Sequence, residues 1–476
     1  MKRAIYLMLL AGLFSCKKSF LEIVPKGSLL ATTTADYDLM MNSKKFYYLE
    51  NVLPTILLGD DVSGEQQIMQ NLPARFTLAF RWEATWYQQN DVAWEFSVYT
   101  SGIYTCNKVI NDVMGSTEGT DSLKSMLRAE AMANRAWYNF QLVNFYAKPY
   151  QASSAATDPG FPVITKADIT QDYQRGTVQQ SYDFIISDLQ AAIPSLPRMH
   201  RVKTRMSRPA AKALLGKVYV FMGRFDEALT QFNSAFEDLA GSDVRLYDYN
   251  VAFAPGGAFL PIGFFGPNYP GINNNDFTES LLARSHAGGS STGQGFGSEG
   301  LSLDTATAAL FTASDLRLKL FSGSYFNGTP LPDGRKWKYA QQYVRVGMQL
   351  QDLYLLRAEA KARLNDLSGA IEDVEYLRKN RMPAADAVVP PAVAADQSAL
   401  IRFIIDERRR EFAIEGYRWF DMRRLSVDPM FAGKTYRHIM YSPTAASTVY
   451  TLAPERLVLK FPPSVLSLNP GMPDNP

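Results

Sequence analysis

Cysteine is nearly absent from the 476 residues, which hold two, Cys16 and Cys106. No internal disulfide framework is available, so the fold has to be held by core burial. Histidine is equally scarce: His200, His286 and His438 stand far apart, with no ligand spacing for zinc and no partner for a nucleophile. Net charge is also missing, at +2 overall, and without residues 1–15 the basic and acidic side chains balance. A phosphate-binding surface needs clustered cations, so nucleic acid is excluded as a partner. No phosphate loop and no cofactor motif occurs, and beyond the first residues no run is long and apolar enough to cross a bilayer. What the chain does have is apolar residues, 46%, against 20% charged, together with 28 Phe, 25 Tyr and 6 Trp. That composition builds a large globular core and leaves rings to spare for recognition.

Lys2 and Arg3 precede an apolar stretch from Ala4 to Phe14, closed by Ser15 and Cys16. This is the layout of an export signal, too short for the roughly 20 residues a membrane helix requires. The order Leu13, Phe14, Ser15, Cys16 resembles the bacterial lipobox, which implies a signal over 1–15 and a lipid on Cys16. Acyl chains contribute about 0.8 kcal/mol per buried CH2, enough for a firm anchor when several are present.

Helical spacing dominates the body. Leu123, Leu127, Ala131, Ala136, Phe140 and Val143 predict a helix over 122–146, and Tyr182, Ile185, Ile186 and Leu189 predict another over 179–193. From Pro209 to about Ala240, the residues Leu215, Gly216, Tyr219, Ala228, Phe232 and Ala235 occupy the positions of a tetratricopeptide repeat. Such a repeat needs small residues where two helices cross and large ones beside them. Lys212 and Ala240 replace the usual Trp and Pro. A looser copy spans 353–379, and one further helix is predicted from Ser398 to about Leu425.

Between about 241 and 345 the helical pattern fails amid Gly, Asn, Ser and Pro, and a stretch of that length carries function or flexibility. The fold class is therefore mostly α: an α-α superhelical scaffold of tetratricopeptide-like helix pairs over about 91–240 and 346–425, few short strands, a loop-rich subregion at 241–345, and a Pro-rich segment over 426–476.

Two stretches mix rings with hydroxyl-binding side chains, as sugar recognition requires. Trp82, Trp86 and Tyr87 neighbour Arg81, Gln88, Gln89, Asn90 and Asp91. Phe264, Phe265 and Tyr269 neighbour Asn268 and Asn273 to Asn275, and Tyr325 lies in the same subregion. Trp82 and Trp86 suit a core as well as a surface, whereas the Gly, Pro and Asn around Tyr269 predict exposure. Asp60, Asp61 and Glu65 read as a solvated turn around Ser63 and Gly64, with Asp61 kept as a ligand candidate because paired acids also suit hydrolysis or a hard cation. Glu411, Glu415, Gly416, Arg418 and Asp421 read as a structural ion-pair block, and Arg408 to Arg410 as a solvated stripe. No residue is assigned to catalysis and none to a metal.

The ordered set of features resembles the SusD-like (RagB/SusD) outer-membrane lipoproteins. Cys16 is followed by Phe20, Leu21, Glu22 and Pro25; Trp94, Tyr99, Ile103 and Asn107 lead into Arg128, Ala129, Glu130, Arg135, Ala136, Tyr138 and Leu142, and then Gly160, Phe161 and Pro162. Leu355, Ala358, Glu359 and Ala360 precede the block Glu407, Arg408, Glu411, Glu415, Gly416, Arg418, Phe420, Asp421 and Arg424, and Phe461, Pro462, Pro463, Asn469, Pro470, Asn475 and Pro476 close the chain. The resemblance implies an oligosaccharide-binding lipoprotein on the outer membrane, facing the exterior, that serves a SusC-like TonB-dependent transporter. It implies no bond chemistry and no cofactor. A tetratricopeptide-type scaffold without a glycan ligand, and an exported glycosidase, are the other readings of the same residues.

Overall fold

The computed structural model describes residues 31–49, 54–171, 173–273, 275–287, 300–325, 327–339 and 343–476. The export signal, Cys16, Asn274 and most of the 288–300 stretch lie outside the described residues.

Helices carry the architecture. We number the longer ones α1 (Thr34–Met41), α2 (Trp94–Asp112), α3 (Asp121–Tyr146), α4 (Val178–Ala192), α5 (Arg208–Phe221), α6 (Phe225–Leu239), α7 (Leu350–Arg363), α8 (Leu367–Lys379), α9 (Gln397–Glu411) and α10 (Tyr417–Ser426). Capping residues set several boundaries: Thr120 accepts from Leu123 N before α3, Thr177 makes a capping box before α4, and Asp366 accepts from Gly369 N before α8.

Consecutive helices pack as antiparallel pairs, and α5 with α6 is the tetratricopeptide unit read from the sequence. A Cβ on Gly216 would lie 2.4 Å from the Phe232 ring, so only glycine lets the two backbones approach this closely. The sequence placed one helix over 398–425, whereas the structure divides it into α9 and α10. Ile414 and Gly416 take left-handed φ of 58° and 81° there, and the chain bends so that Ile414 N can donate to the buried Asp61.

Strands are short and belong mainly to the loop-rich side. The largest sheet has β1 (Val62–Glu65), β2 (Leu301–Leu303), β3 (Arg437–Tyr441) and β4 (Thr448–Thr451) in the order β4-β3-β1-β2. Met440 and Gly64 are partners in its parallel β3–β1 pairing, and Val62 faces Leu303 in the antiparallel β1–β2 pairing. Under this sheet lies a second apolar core that includes Val62, Phe76, Phe80, Phe259, Tyr269, Leu301 and Met440, separate from the main interhelical core. Among the described residues no helix is long and apolar enough to cross a membrane.

A seam of buried charge joins the two cores. Arg408 donates to Asp352 (2.8 Å) and Asp421 (3.0 Å), and Arg424 to Glu359 (2.7 Å) and Asp421 (2.8 Å). Glu407 receives Arg378 (2.7 Å) and Arg410 (2.5 Å), while Glu411 receives Arg381 (2.8 Å) and Arg317 (2.9 Å). Arg408 and Arg410 are buried, which corrects their reading as a solvated stripe: Asp352 and Asp421 for Arg408, and Glu407 with Leu310 O for Arg410, supply what water would otherwise supply. These cations hold Glu407, Glu411 and Asp421 below the usual carboxylate range in spite of burial.

Candidate functional site

The tip of one tight turn presents the two most exposed phenylalanines among the described residues. Gly263 N donates to Gly266 O (3.1 Å) and Gly266 N to Gly263 O (2.9 Å), so Phe264 and Phe265 sit at the apex. Their side chains are 61% and 58% exposed, and the rings meet edge to face at 5.1 Å. Gly266 has φ of 96°, and a Cβ on it would fall 2.4 Å from Tyr339 Cβ. The turn is thus pressed onto Tyr339, which is itself half-buried and packs edge to face on Trp337 at 5.1 Å. Trp337 Nε1 donates to Ser324 O (2.7 Å), tying in the loop that carries the half-buried Tyr325. Exposed Asn268 and Asn327 flank these rings. A rigid, ring-bearing turn bordered by amides offers a stacking face and a hydrogen-bonding edge to a pyranose.

Tyr269 does not join that face. Its side chain is 5% exposed and its hydroxyl donates to Tyr339 O (2.8 Å), so it supports the turn from below. The Gly, Pro and Asn around it predicted exposure; the second core, absent from any local pattern, draws the ring inward.

Trp82 is likewise a core residue and not a sugar platform. The helix Ala74–Phe80 ends, Trp82 takes a left-handed φ of 54°, and its indole turns inward. There its Nε1 donates to Leu58 O (3.1 Å) and its face stacks at 3.8 Å on His438, which Phe80 covers from 4.4 Å. Both His438 nitrogens lie 2.6 Å from carbonyls, of Phe80 and Gly59, while burial lowers its pKa to about 4.

Trp86 and Tyr87 are half-buried and line a small cleft with Glu95, Lys460, Phe461 and Pro462. The Tyr87 hydroxyl donates to Glu95 (2.6 Å), as does that of Tyr146 (2.8 Å), and burial raises the Glu95 pKa. The structure does not bring this group together with the Phe264 turn.

The acidic group at 60–65 is not a solvated turn, because residues 62–65 are strand β1 and every carboxylate has an internal duty. Asp60 accepts from Arg418 (2.5 Å), Asp61 from Ile414 N (2.8 Å), and Glu65 from Ile68 N (2.8 Å). Burial pushes the Asp61 pKa up to about 6, whereas the Arg418 and Arg409 cations hold Asp60 well below the carboxylate range against its own burial. Asp61 is 1% exposed and cannot meet a ligand. Glu415 pairs with Lys338 and not with its helical neighbours. Cys106 is wholly buried and its pKa is raised by burial, so the thiol is inert. Among the described residues, no group of three or more His, Cys, Asp or Glu could hold a metal ion.

Sequence reasoning missed Tyr339 and also a polar cleft lined by Tyr343, Arg345, Gln349 and Gln351. A signal was present: those residues fall at odd positions of an alternating segment, with Val344, Val346 and Met348 between them.

Comparison with known proteins places this architecture. A family model described as "Starch-binding associating with outer membrane" matches residues 31–220, and the SusD family model matches 326–476. Together they span most of the chain, which belongs to the SusD-like family. SusD-like protein P2 of Formosa agariphila is 23% identical over 89% of this chain and 90% of its own. A SusD superfamily protein of Bacteroides thetaiotaomicron superposes with TM-score 0.71 at 20% identity, over 93% of this chain and 100% of that one. Surface glycan-binding protein A of Bacteroides uniformis superposes with TM-score 0.65 at 16% identity, over 93% and 99%.

Proposed function

We propose that the protein is a cell-surface glycan-binding lipoprotein, anchored through Cys16 and facing the exterior, that passes oligosaccharide to a SusC-like TonB-dependent transporter without cleaving it. Residues 1–15 act as the signal, and 16–476 form the working unit. The observation that carries the binding reading is the Phe264–Phe265 apex, exposed yet braced on Tyr339. Solvent-facing phenylalanines disfavour a polar surface and suit the C–H face of a sugar ring, and their bracing removes most of the ordering cost on binding. Family membership and the likeness to surface glycan-binding protein A of Bacteroides uniformis support the same ligand class.

The test uses the full chain in a sugar-free detergent against a panel of oligosaccharides. Saturable binding without release of new reducing ends, lost in the F264A/F265A double variant, is expected. Absence of binding to every saccharide would favour a protein-binding scaffold, and new reducing ends would favour a glycosidase. C16A should release the protein from the membrane fraction; unchanged attachment would refute the lipid anchor.

A further inference from the structure

Arg345 from the strand Tyr343–Arg345, Gln349 from the strand Met348–Gln349 and Gln351 from the first turn of α7 line one cleft walled by Tyr269. Arg345 is 8%, Gln349 2% and Gln351 9% exposed. Arg345 Nη2 donates to the carbonyls of Pro270 (3.2 Å), Asn273 (2.6 Å) and Asp276 (3.0 Å), which fixes the guanidinium. Its Nε and Nη1, the Gln349 Nε2 and the Gln351 Oε1 have no hydrogen-bond partner among the described residues. The Gln351 oxygen and nitrogen are assigned from the network, so rotating its amide presents a donor instead.

The other charges facing the cleft are engaged elsewhere. Lys338 pairs with Glu415, Arg410 with Glu407, and Arg317 with Asp315 and Glu411. Arg381 takes Glu279 and Glu411. Asp276 accepts from the Tyr247 hydroxyl (2.6 Å) and Thr278 N (3.1 Å), and it acts on Arg345, with Glu415, only through space. Burial lowers the Arg345 pKa to about 10, which leaves it protonated at neutral pH. A buried guanidinium with two unpaired nitrogens gains most from a compact anion, since charge-assisted bonds are about twice as strong as neutral ones. Tyr269, which walls the cleft, donates to Tyr339, and Tyr339 backs the Phe264 turn, so the cleft adjoins the stacking face.

We propose that this cleft receives the anionic oxygen group of an acidic saccharide, a sugar carboxylate or a sulfate ester, with Arg345 as its counter-ion and Gln349 as second donor. The proposal rests on the glycan reading and narrows it to charged sugars. The test is a ligand-detected NMR titration of the full chain, in sugar-free detergent, with glucuronate, glucose 6-sulfate and glucose. At least one anion should bind ten times more tightly than glucose, and the anion that does so identifies the group. R345Q should abolish that preference, and so should Q351E, which sets a carboxylate in the same cleft and covers the case in which R345Q does not fold. Equal binding of the three sugars, or a preference unchanged in either folded variant, overturns the proposal. If no preference appears while neutral oligosaccharides still bind through Phe264 and Phe265, the cleft assignment fails alone; if no saccharide binds, both readings fail.

Discussion

The stretches 82–90 and 264–268 look alike as strings, rings followed by amide side chains, yet the structure turns their leading rings in opposite directions. Trp82 leaves a helix end in a left-handed conformation and stacks inside on His438, while Phe264 and Phe265 crown a turn whose ends hydrogen-bond to each other. The difference teaches that ring exposure is decided by backbone direction at one or two residues, and not by the polarity of the neighbours.

The comparison breaks most decisively at Trp82. W82A should cost about 3 to 5 kcal/mol, as large buried aromatics do, read as a lower denaturant midpoint at unchanged slope. A loss under about 1 kcal/mol would mean that the indole is not a wedge. The inner region also carries a pH signature. Burial raises the Asp61 pKa to about 6 from its ordinary 3.8, so its favourable contribution is complete below pH 4 and is lost as pH rises through 6. Wild type should therefore lose about 2 kcal/mol relative to D61N between pH 4 and 7. Parallel stability profiles for the two proteins would contradict this. Asp60, Glu407 and Asp421 have lowered values, so their stabilisation is lost on the acid side as pH falls from about 4.5, equally in both proteins, and it cancels from the comparison.

At the outer region the expectations reverse. F264A/F265A should leave stability within about 0.5 kcal/mol of wild type, as exposed sites do, while glycan affinity falls about tenfold or more at roughly 0.5 to 1.5 kcal/mol per ring. A large stability loss with affinity intact would erase the contrast. The finest distinction is Y269F, which removes the hydrogen bond under the turn: about 1 kcal/mol of stability should go, with a smaller loss of affinity than in the double variant.

Much of the scaffold was legible because its determinants are local. Helices α3 to α8 announce themselves through 3.6-residue spacing, caps and the small residues at crossings, Gly216 above all. The sheet was not legible, since β1 pairs with β3 from the far end of the chain and no local pattern names a partner. For the same reason Arg408 and Arg409 read as surface charge: their acids, Asp352, Asp421 and Asp60 among them, are brought in by tertiary structure. At the candidate site, Phe264 and Phe265 were named from their amide neighbours, but the turn that lifts them, closed by Gly263 and Gly266, was not. Tyr269 was misjudged because the second core that buries it assembles from segments far apart in sequence, from Ile56 to Met440, and Arg345 was passed over although alternation marked its side of the strand.

The ion pair between Asp60 and Arg418 spans 358 residues of sequence. While the chain is being made, that acid remains hydrated until the last eighth has emerged, and β1 likewise lacks its neighbour β3. The sheet side of the molecule therefore closes last, and a chain truncated before Arg418 would retain helix pairs able to form but a sheet without β3 and a second core without Met440.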